Sequence, residues 1–445
     1  MTTQKLLWRV HHWAGFYAGV FIIVLSVSGA LAVYLPEIDY GSNRDLFTVP
    51  VGESTQPLNA VVASAVEEYG ATSPSNYLSY VRLPEGPGQT IICRFITDAP
   101  ELSGVQRQFQ YRFDDVFVDP YTLAITGTRD YLKSFAYYLR QFHVRLLDGI
   151  WGRQIVGLFG AALFVSVVTG LLIYGNFMRK RRFGQLQTRN ARTLSADLHK
   201  YIGVTALVFN IVIAATGAWL GLQPVFLQMG VVEVPNRAYD AEEKLTAETD
   251  VAYPVDYDGV LAKTGQVFPD MVPKRIHPSH DGTRKVEVYG DVPGMIYERN
   301  IQKVVLDKET HEVLFVYDAR KGGAVDMLYY IQEALHFGDY GGQPVKLLYC
   351  LLGVTSGGLA MSGLVITLWR RSGPNKVRGV MYPMVIWTAV LLGPIAGMWM
   401  ISASLGGVVA MAVFSMTLYF LVLPSIGLYW FARFAFWRVE RRRSA

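Results

Sequence analysis

Residues 8–35 read WRVHHWAGFYAGVFIIVLSVSGALAVYL, and from Trp13 to Leu35 no Asp, Glu, Lys or Arg interrupts a run of 23 residues. A bilayer core about 30 Å thick takes roughly 20 apolar residues in a helix. Five further stretches without those charges reach that length, at 155–174, 201–222, 347–369, 379–401 and 407–432. Six in one chain predict a polytopic α-helical membrane protein with about six transmembrane helices. Ala30-Leu31-Ala32 resembles a secretory cleavage site. The apolar run exceeds a signal core, however, so the first helix is expected to remain.

The composition agrees. Of 445 residues, 51% are hydrophobic and 17% charged, with a mean hydropathy of +0.24. These values exclude a disordered or collagen-like chain and imply sizeable water-soluble parts beside the membrane. The two cysteines, Cys93 and Cys350, make no disulfide framework, and no C-x-x-C-H offers covalent haem attachment.

Basic residues set the expected orientation. Arg179, Lys180, Arg181, Arg182, Arg189 and Arg192 follow the second stretch, and Arg370, Arg371, Lys376 and Arg378 follow the fourth. Arg433, Arg438, Arg441, Arg442 and Arg443 follow the sixth, and Lys5 and Arg9 precede the first. With six alternating helices all of these share one side, which is then cytoplasmic. Segments 36–153 and 223–346, richer in Asp and Glu, face outward.

The chain also repeats itself. His11-His12-Trp13-Ala14-Gly15 and His199-Lys200-Tyr201-Ile202-Gly203 both read His-x-aromatic-x-Gly, each at the cytoplasmic start of an apolar helix. His143, Gly160 and Gly170 have the same separations, 17 and 10 residues, as His336, Gly353 and Gly363. The offset is 188 for the first match and 193 for the second, so a small insertion in the second outward segment is expected. The unit is helix, outward domain, helix, present twice in parallel orientation. Within the outward segments, 57–70 reads as a helix, and 90–97, 107–118 and 123–127 read as strands. Strand, Asp turn and strand recur around Asp119-Pro120 and Asp307-Lys308.

Four of the eight histidines, His11, His199, His143 and His336, form the repeat-matched set. An ionisable group at a membrane boundary is a functional candidate by default. Matched across the repeat, they give one pair per membrane face: His11 with His199 inside, His143 with His336 outside. Two neutral imidazoles close both axial positions of a haem iron, which suits a b-type haem dedicated to electron transfer. Two haems are therefore expected. Zinc fits less well, because its sites usually take three or four protein ligands. Arg140, Arg145 and Arg153 lie near the outer pair, and Lys5, Arg9 and Lys200 near the inner one, as cations for haem propionates. His12 breaks the repeat, and one helical residue turns about 100°, so only one of His11 and His12 can serve. His277 and His280, in His277-Pro278-Ser279-His280, read as loop, and His311 as part of a turn. Asn210 and Thr216 read as interhelical hydrogen-bond partners. No dinucleotide loop, Walker loop, H-E-x-x-H or G-x-S-x-G is present.

With these residues assembled, the chain resembles the PepSY-associated transmembrane family of bacterial inner-membrane proteins, and within it the ferric-siderophore reductases of the FoxB type. The family's His-Arg-Trp-x-Gly opening resembles His11-His12-Trp13-Ala14-Gly15, with His12 in the arginine's place. Its Leu-His-x-Gly element resembles Leu335-His336-Phe337-Gly338 and, more loosely, Phe142-His143-Val144-Arg145. Its Val-Asp-Pro-x-Thr-Gly turn resembles Val118-Asp119-Pro120-Tyr121-Thr122, with Leu123 for the glycine.

The resemblance implies a multi-pass protein of the bacterial inner (cytoplasmic) membrane with both termini cytoplasmic and two periplasmic α/β PepSY-like domains. The expected layout is a first transmembrane helix at 1–35, a periplasmic domain at 36–135 and a second helix with an outer extension at 136–176. A basic loop at 177–198, a third helix at 199–222, a second periplasmic domain at 223–330 and a fourth extended helix at 331–369 follow. A loop at 370–378, two helices within 379–434 and a basic tail at 435–445 complete it. The implied activity is an oxidoreductase that reduces ferric siderophore, or another ferric chelate, and releases Fe(II) for iron uptake. The electron donor would be quinol, a diffusible reductant or a protein, and no nucleic-acid partner is implied. Two other readings remain open: a non-redox PepSY regulator of a periplasmic protease, and an iron or siderophore transporter.

Overall fold

A computed structural model describes residues 2–69, 76–98, 111–178, 184, 186–187, 191–234, 255–279 and 284–372. In chain order the helices are α1 (Thr3–Ala32), α2 (Leu35–Ser42), α3 (Arg44–Phe47) and α4 (Leu58–Tyr69). Strands β1 (Asn76–Arg82), β2 (Ile91–Asp98), β3 (Tyr111–Val118) and β4 (Ile125–Asp130) follow. Next come α5 (Phe135–Arg145), α6 (Gly149–Met178), α7 (Ala191–Thr205), α8 (Leu207–Gln228) and α9 (Tyr257–Val267). Strands β5 (Val272–Pro278), β6 (Lys285–Asp291), β7 (Gln302–Asp307) and β8 (Val313–Tyr317) lead to α10 (Ala324–Phe337) and α11 (Gly342–Ser372). The described residues group into two compact units, one drawn from 2–34, 139–224 and 336–372, the other from 35–138 and 225–335.

The first unit is helical. Among the described residues, four helices are long and apolar enough to cross a membrane: Thr3–Ala32, Gly149–Tyr174, Leu207–Gln228 and Gly342–Thr367. A helix satisfies its own backbone hydrogen bonds, which is what hydrocarbon demands of a spanning segment. These match the first four expected spans; the expected fifth and sixth, at 379–401 and 407–432, lie outside the described residues. Leu158, Val208 and Leu351 point outward at 59%, 74% and 56% exposure, which is ordinary for a surface that meets lipid. Small residues bring helices close. A Cβ on Gly160 of α6 would lie 2.6 Å from the Ala218 nitrogen of α8, and one on Gly19 of α1 would lie 3.1 Å from Leu364 of α11. Asn210 is buried in α8, where its Oδ1 accepts from Ser356 Oγ of α11 at 2.7 Å.

Proline 224 sits inside α8. A proline has no N–H, so the carbonyl four residues earlier loses its helical donor. That carbonyl belongs to Leu220, and Arg153 of α6 donates to it through Nε at 2.9 Å and Nη2 at 2.7 Å.

The second unit is a single antiparallel sheet in the order β4-β3-β2-β1-β5-β6-β7-β8. Each long segment supplies four strands, and they join through β1 and β5, where Val81 faces Ile276. The alternation of side chains along each strand buries one face. Val81, Cys93, Phe95, Val116, Ile276, Val288 and Val304 pack there with Val61 and Ala65 of α4 and Val260 of α9. The two helices cap each other. Asp258 of α9 accepts from the Leu58 and Asn59 backbone N–H groups at 2.8 and 3.0 Å, and Asn59 Oδ1 accepts from Tyr257 N at 2.7 Å.

The Asp turns recur as expected. Asp119 accepts from Tyr121 N, and Asp307 from the nitrogens of Glu309 and Thr310. Asp130 and Asp318, again 188 apart, cap the 3-10 turns that follow β4 and β8. The spacing therefore holds through Asp318, and the five extra residues fall between it and His336. α10 is longer than α5, at 14 residues against 11. His277 is a correction to the loop reading: it lies in β5, paired with Glu287 of β6, because the buried Ile276 next to it fixes an extended alternation.

Candidate functional site

The repeat-matched histidines meet in two pairs. His11 of α1 and His199 of α7 have ring centres 6.2 Å apart, with planes at 78°. His143 of α5 and His336 of α10 have ring centres 6.3 Å apart, with planes at 33°. His143 sits in the last turn of α5, just before Leu146 and Leu147 turn the chain with φ of 48° and 63°. His336 sits in the last turn of α10, before Gly338 turns with φ 66°. The outer extensions expected for spans two and four are thus separate short helices, each with its histidine in the last turn.

Each imidazole rests on a glycine of another helix. A Cβ on Gly170 would lie 3.1 Å from the His11 ring, one on Gly363 3.2 Å from His199, one on Gly29 2.8 Å from His143, and one on Gly217 3.2 Å from His336. The missing side chain lets the ring reach the turn beneath. His11 Nδ1 meets the Ser166 carbonyl at 2.8 Å, and His199 Nδ1 meets the Leu359 carbonyl at 3.0 Å. Both carbonyls lie four residues before the glycine concerned.

Carbonyls only accept, so Nδ1 of His11 and His199 carries the proton. The other pair follows by one more step. Ser28 Oγ donates to the Leu25 carbonyl at 3.2 Å, and Thr216 Oγ1 donates to the Val212 carbonyl at 2.7 Å. Each hydroxyl is then an acceptor for its histidine, His143 Nδ1 at 3.0 Å and His336 Nδ1 at 2.9 Å. All four rings hold their proton at Nδ1 and keep the Nε2 lone pair, the arrangement of a metal-ligating imidazole with an oriented second nitrogen.

His11 and Gly29 are 18 residues apart in α1. At a rise of 1.5 Å per residue the two pairs lie about 27 Å apart along that helix, close to the thickness of a hydrocarbon core.

The family model for the PepSY-associated TM region matches residues 8–371, from just before His11 to the end of α11. The chain belongs to the PepSY-associated transmembrane family. It is a polytopic membrane protein, and it is similar to an uncharacterized protein of Pseudomonas aeruginosa, 25% identical over 256 residues. That alignment covers 54% of this chain and 65% of the relative.

In this PepSY-associated protein His12 is turned away from the pair. Its ring stacks on Trp8 at 5.3 Å and lies 6.2 Å from Phe16. Arg153, expected as a cation for the outer site, is committed to the Leu220 carbonyl and Gln223. Tyr137 and Tyr138, beside the His143 pair in sequence, are buried, while Trp151 is 73% exposed. Sequence reading missed Ser28, Gly29 and Gly217 as parts of the site, and took Thr216 only as a helix contact. The signal was present: Ser28-Gly29 and Thr216-Gly217 stand at the same offset of 188 as His11 and His199.

Proposed function

We propose that the protein is a di-haem reductase of the bacterial inner membrane. On this reading His11 with His199, and His143 with His336, each hold one b-type haem. Such a group would supply a one-electron Fe(III)/Fe(II) couple. The observation that carries the reading is the ring spacing. An imidazole nitrogen stands about 2 Å from a metal it ligates, so two rings facing one atom from opposite sides have centres about 6 Å apart. The two pairs stand at 6.2 and 6.3 Å. Among the described residues no group of three or more His, Cys, Asp or Glu side chains could hold a metal ion, whereas a tetrahedral zinc site takes three or four protein ligands.

The chain's own residues fix the rings. Ser166, Leu359, Ser28 and Thr216 hold each proton at Nδ1 and keep each Nε2 bare. With a pair at each end of the spans, the acceptor is a ferric siderophore or similar chelate on the periplasmic side. One electron per iron gives Fe(II), which hard-oxygen ligands hold less tightly. The donor is a quinol, a diffusible reductant or a protein.

The test is an absorption spectrum of the purified full chain, oxidised and then dithionite-reduced, with haem counted per protein. Two haems are expected, one lost in His336→Ala and the other in His199→Ala. A protein purified without haem absorption would sink the reading and favour the non-redox regulator. Reporter fusions at residues 90 and 270 should lie outside the cytoplasm, since both belong to the segments read as periplasmic.

A further inference from the structure

The eight-stranded sheet has two unlike faces. The face under α4 and α9 is apolar. On the opposite face, Arg82 of β1 stands directly across from Arg275 of β5. Their neighbours Val81 and Ile276 are fully buried against the helices, so both guanidiniums lie on the opposite side. Arg94 of β2 is directly across from Tyr80. The Tyr80 ring lies 5.1 Å from the Arg94 guanidinium and 5.1 Å from that of Arg275. The His277 ring is 5.3 Å from Tyr80 and 5.0 Å from Tyr289.

Like charges directly across an antiparallel pair repel. The nearby carboxylates serve other cations. Asp115 takes Arg94 at 2.6 Å and Arg129 at 3.2 Å, Asp39 takes Arg129 at 2.7 Å, and Glu287 takes Lys303 at 3.5 Å. Among the described residues no ion pair reaches Arg82 or Arg275. Burial lowers the Arg275 guanidinium below its ordinary value; Arg82, Arg94 and Arg299 add to that, and Tyr80 offsets it. A guanidinium nevertheless stays charged. Among the described residues these two guanidiniums stand across from each other with no carboxylate partner, Arg275 against the Tyr80 ring, an arrangement that suits an anionic ligand.

We propose that this face binds an anionic oxygen-donor chelate, its carboxylate or catecholate oxygens forked between Arg82 and Arg275 and its planar parts against Tyr80 and Tyr289. The guanidinium fork matches paired oxygens, and aromatic faces take flat ligands. That the anion arrives as a ferric complex rests on the reductase reading. Citrate and catecholate complexes of a trivalent metal are negatively charged, whereas trihydroxamate complexes are neutral or cationic. The site therefore selects the anionic classes.

The experiment uses gallium(III) complexes, which keep the ligand shell but are not reduced, so the readout needs no haem. Binding to the detergent-purified full chain is measured by calorimetry and by thermal shift. The probes are gallium citrate, a gallium tris-catecholate, a gallium trihydroxamate, and citrate alone. The two anionic complexes should bind and raise Tm, and the trihydroxamate should do neither. R82Q and R275Q should each weaken binding by roughly tenfold or more. Without ligand both variants should melt above the wild type, because one of two repelling charges is gone. R320Q, whose partners are Asp318 and Asp270, should leave binding unchanged. Equal binding of the trihydroxamate overturns the proposal. So does unchanged affinity in R82Q, or a lowered ligand-free Tm, which would mean that the chain supplies its own counter-ion. Citrate binding as tightly alone as with gallium overturns the assignment to a chelate. A protein that lacks haem but binds the anionic complexes would end the reductase reading and leave the anion site standing.

Discussion

At the residue scale, the site depends on what is absent beside each ring. Gly29 leaves 2.8 Å between a built Cβ and the His143 ring, less than a real Cβ tolerates. Gly29→Ala therefore pushes the imidazole off its seat. On the proposed di-haem reading the expected outcome is loss of about one of two haems, read from the reduced spectrum, with the His11–His199 pair spared. Thr216→Val is a finer change. It keeps the volume but removes the hydroxyl that accepts from His336 Nδ1 at 2.9 Å. Losing a partner of this kind typically costs 10–100-fold in metal affinity, so occupancy of that pair should fall, while Thr169→Val, whose hydroxyl lies 3.4 Å from His11 Nδ1 of the other pair, leaves it intact. The histidines were legible in the sequence because the duplication marks them twice. Gly29 and Gly217 were not, because a glycine in an apolar helix is ordinary until the ring it faces is known.

At the element scale, Arg153 and Pro224 form a compensated break. Removing the guanidinium leaves the Leu220 carbonyl without a donor, a loss of about 1–3 kcal/mol for a buried polar group. Arg153→Met should lower the unfolding free energy in detergent by that order. Pro224→Ala restores a backbone N–H four residues after Leu220, so Arg153→Met on that background should cost much less. The double-mutant cycle tests the coupling, and strict additivity would break the link. Spans α1, α6, α8 and α11 were readable from uninterrupted apolar runs. Strand β5 was hidden, because Pro273, Lys274, Arg275 and His277 look like loop residues when the partner strands are unknown. Its identity comes from β1 and β6 on either side.

The loop after β6 carries a pH-sensitive contact. Burial, with the neighbouring Glu333 carboxylate, raises Glu298 from 4.5 to about 7. The unfolded chain releases this proton near 4.5, while the folded chain keeps it up to about 7. Between those values the folded state binds more protons, so stability falls as pH rises through the window and levels off above it. Glu298→Gln should remove this slope. Unfolding midpoints of wild type and variant should converge at low pH and separate as pH approaches 7, with the variant higher; parallel curves would exclude the assignment.

At the scale of the whole molecule, the duplication has produced one sheet from two segments. Two separate outward domains, at 36–135 and 223–330, were the natural reading of two strand-rich stretches. The β1–β5 pairing, however, makes each segment the edge partner of the other. The helix caps cross as well, Asp258 serving α4 and Asn59 serving α9. A segment expressed alone loses both. It exposes β1 as an unpaired edge and leaves the first N–H groups of α4 uncapped, at a cost of about 1 kcal/mol for the cap alone. Residues 36–135 expressed without the second segment should therefore fail to fold as a monomer, and either aggregate or pair through β1 with a second copy. Joined by a flexible linker to 225–330, the same residues should give a monomeric β-rich species. Circular dichroism and size-exclusion chromatography of the two fragments decide this. A stable monomer of 36–135 alone would show that the shared sheet is dispensable, and that each copy of the repeat carries a complete domain.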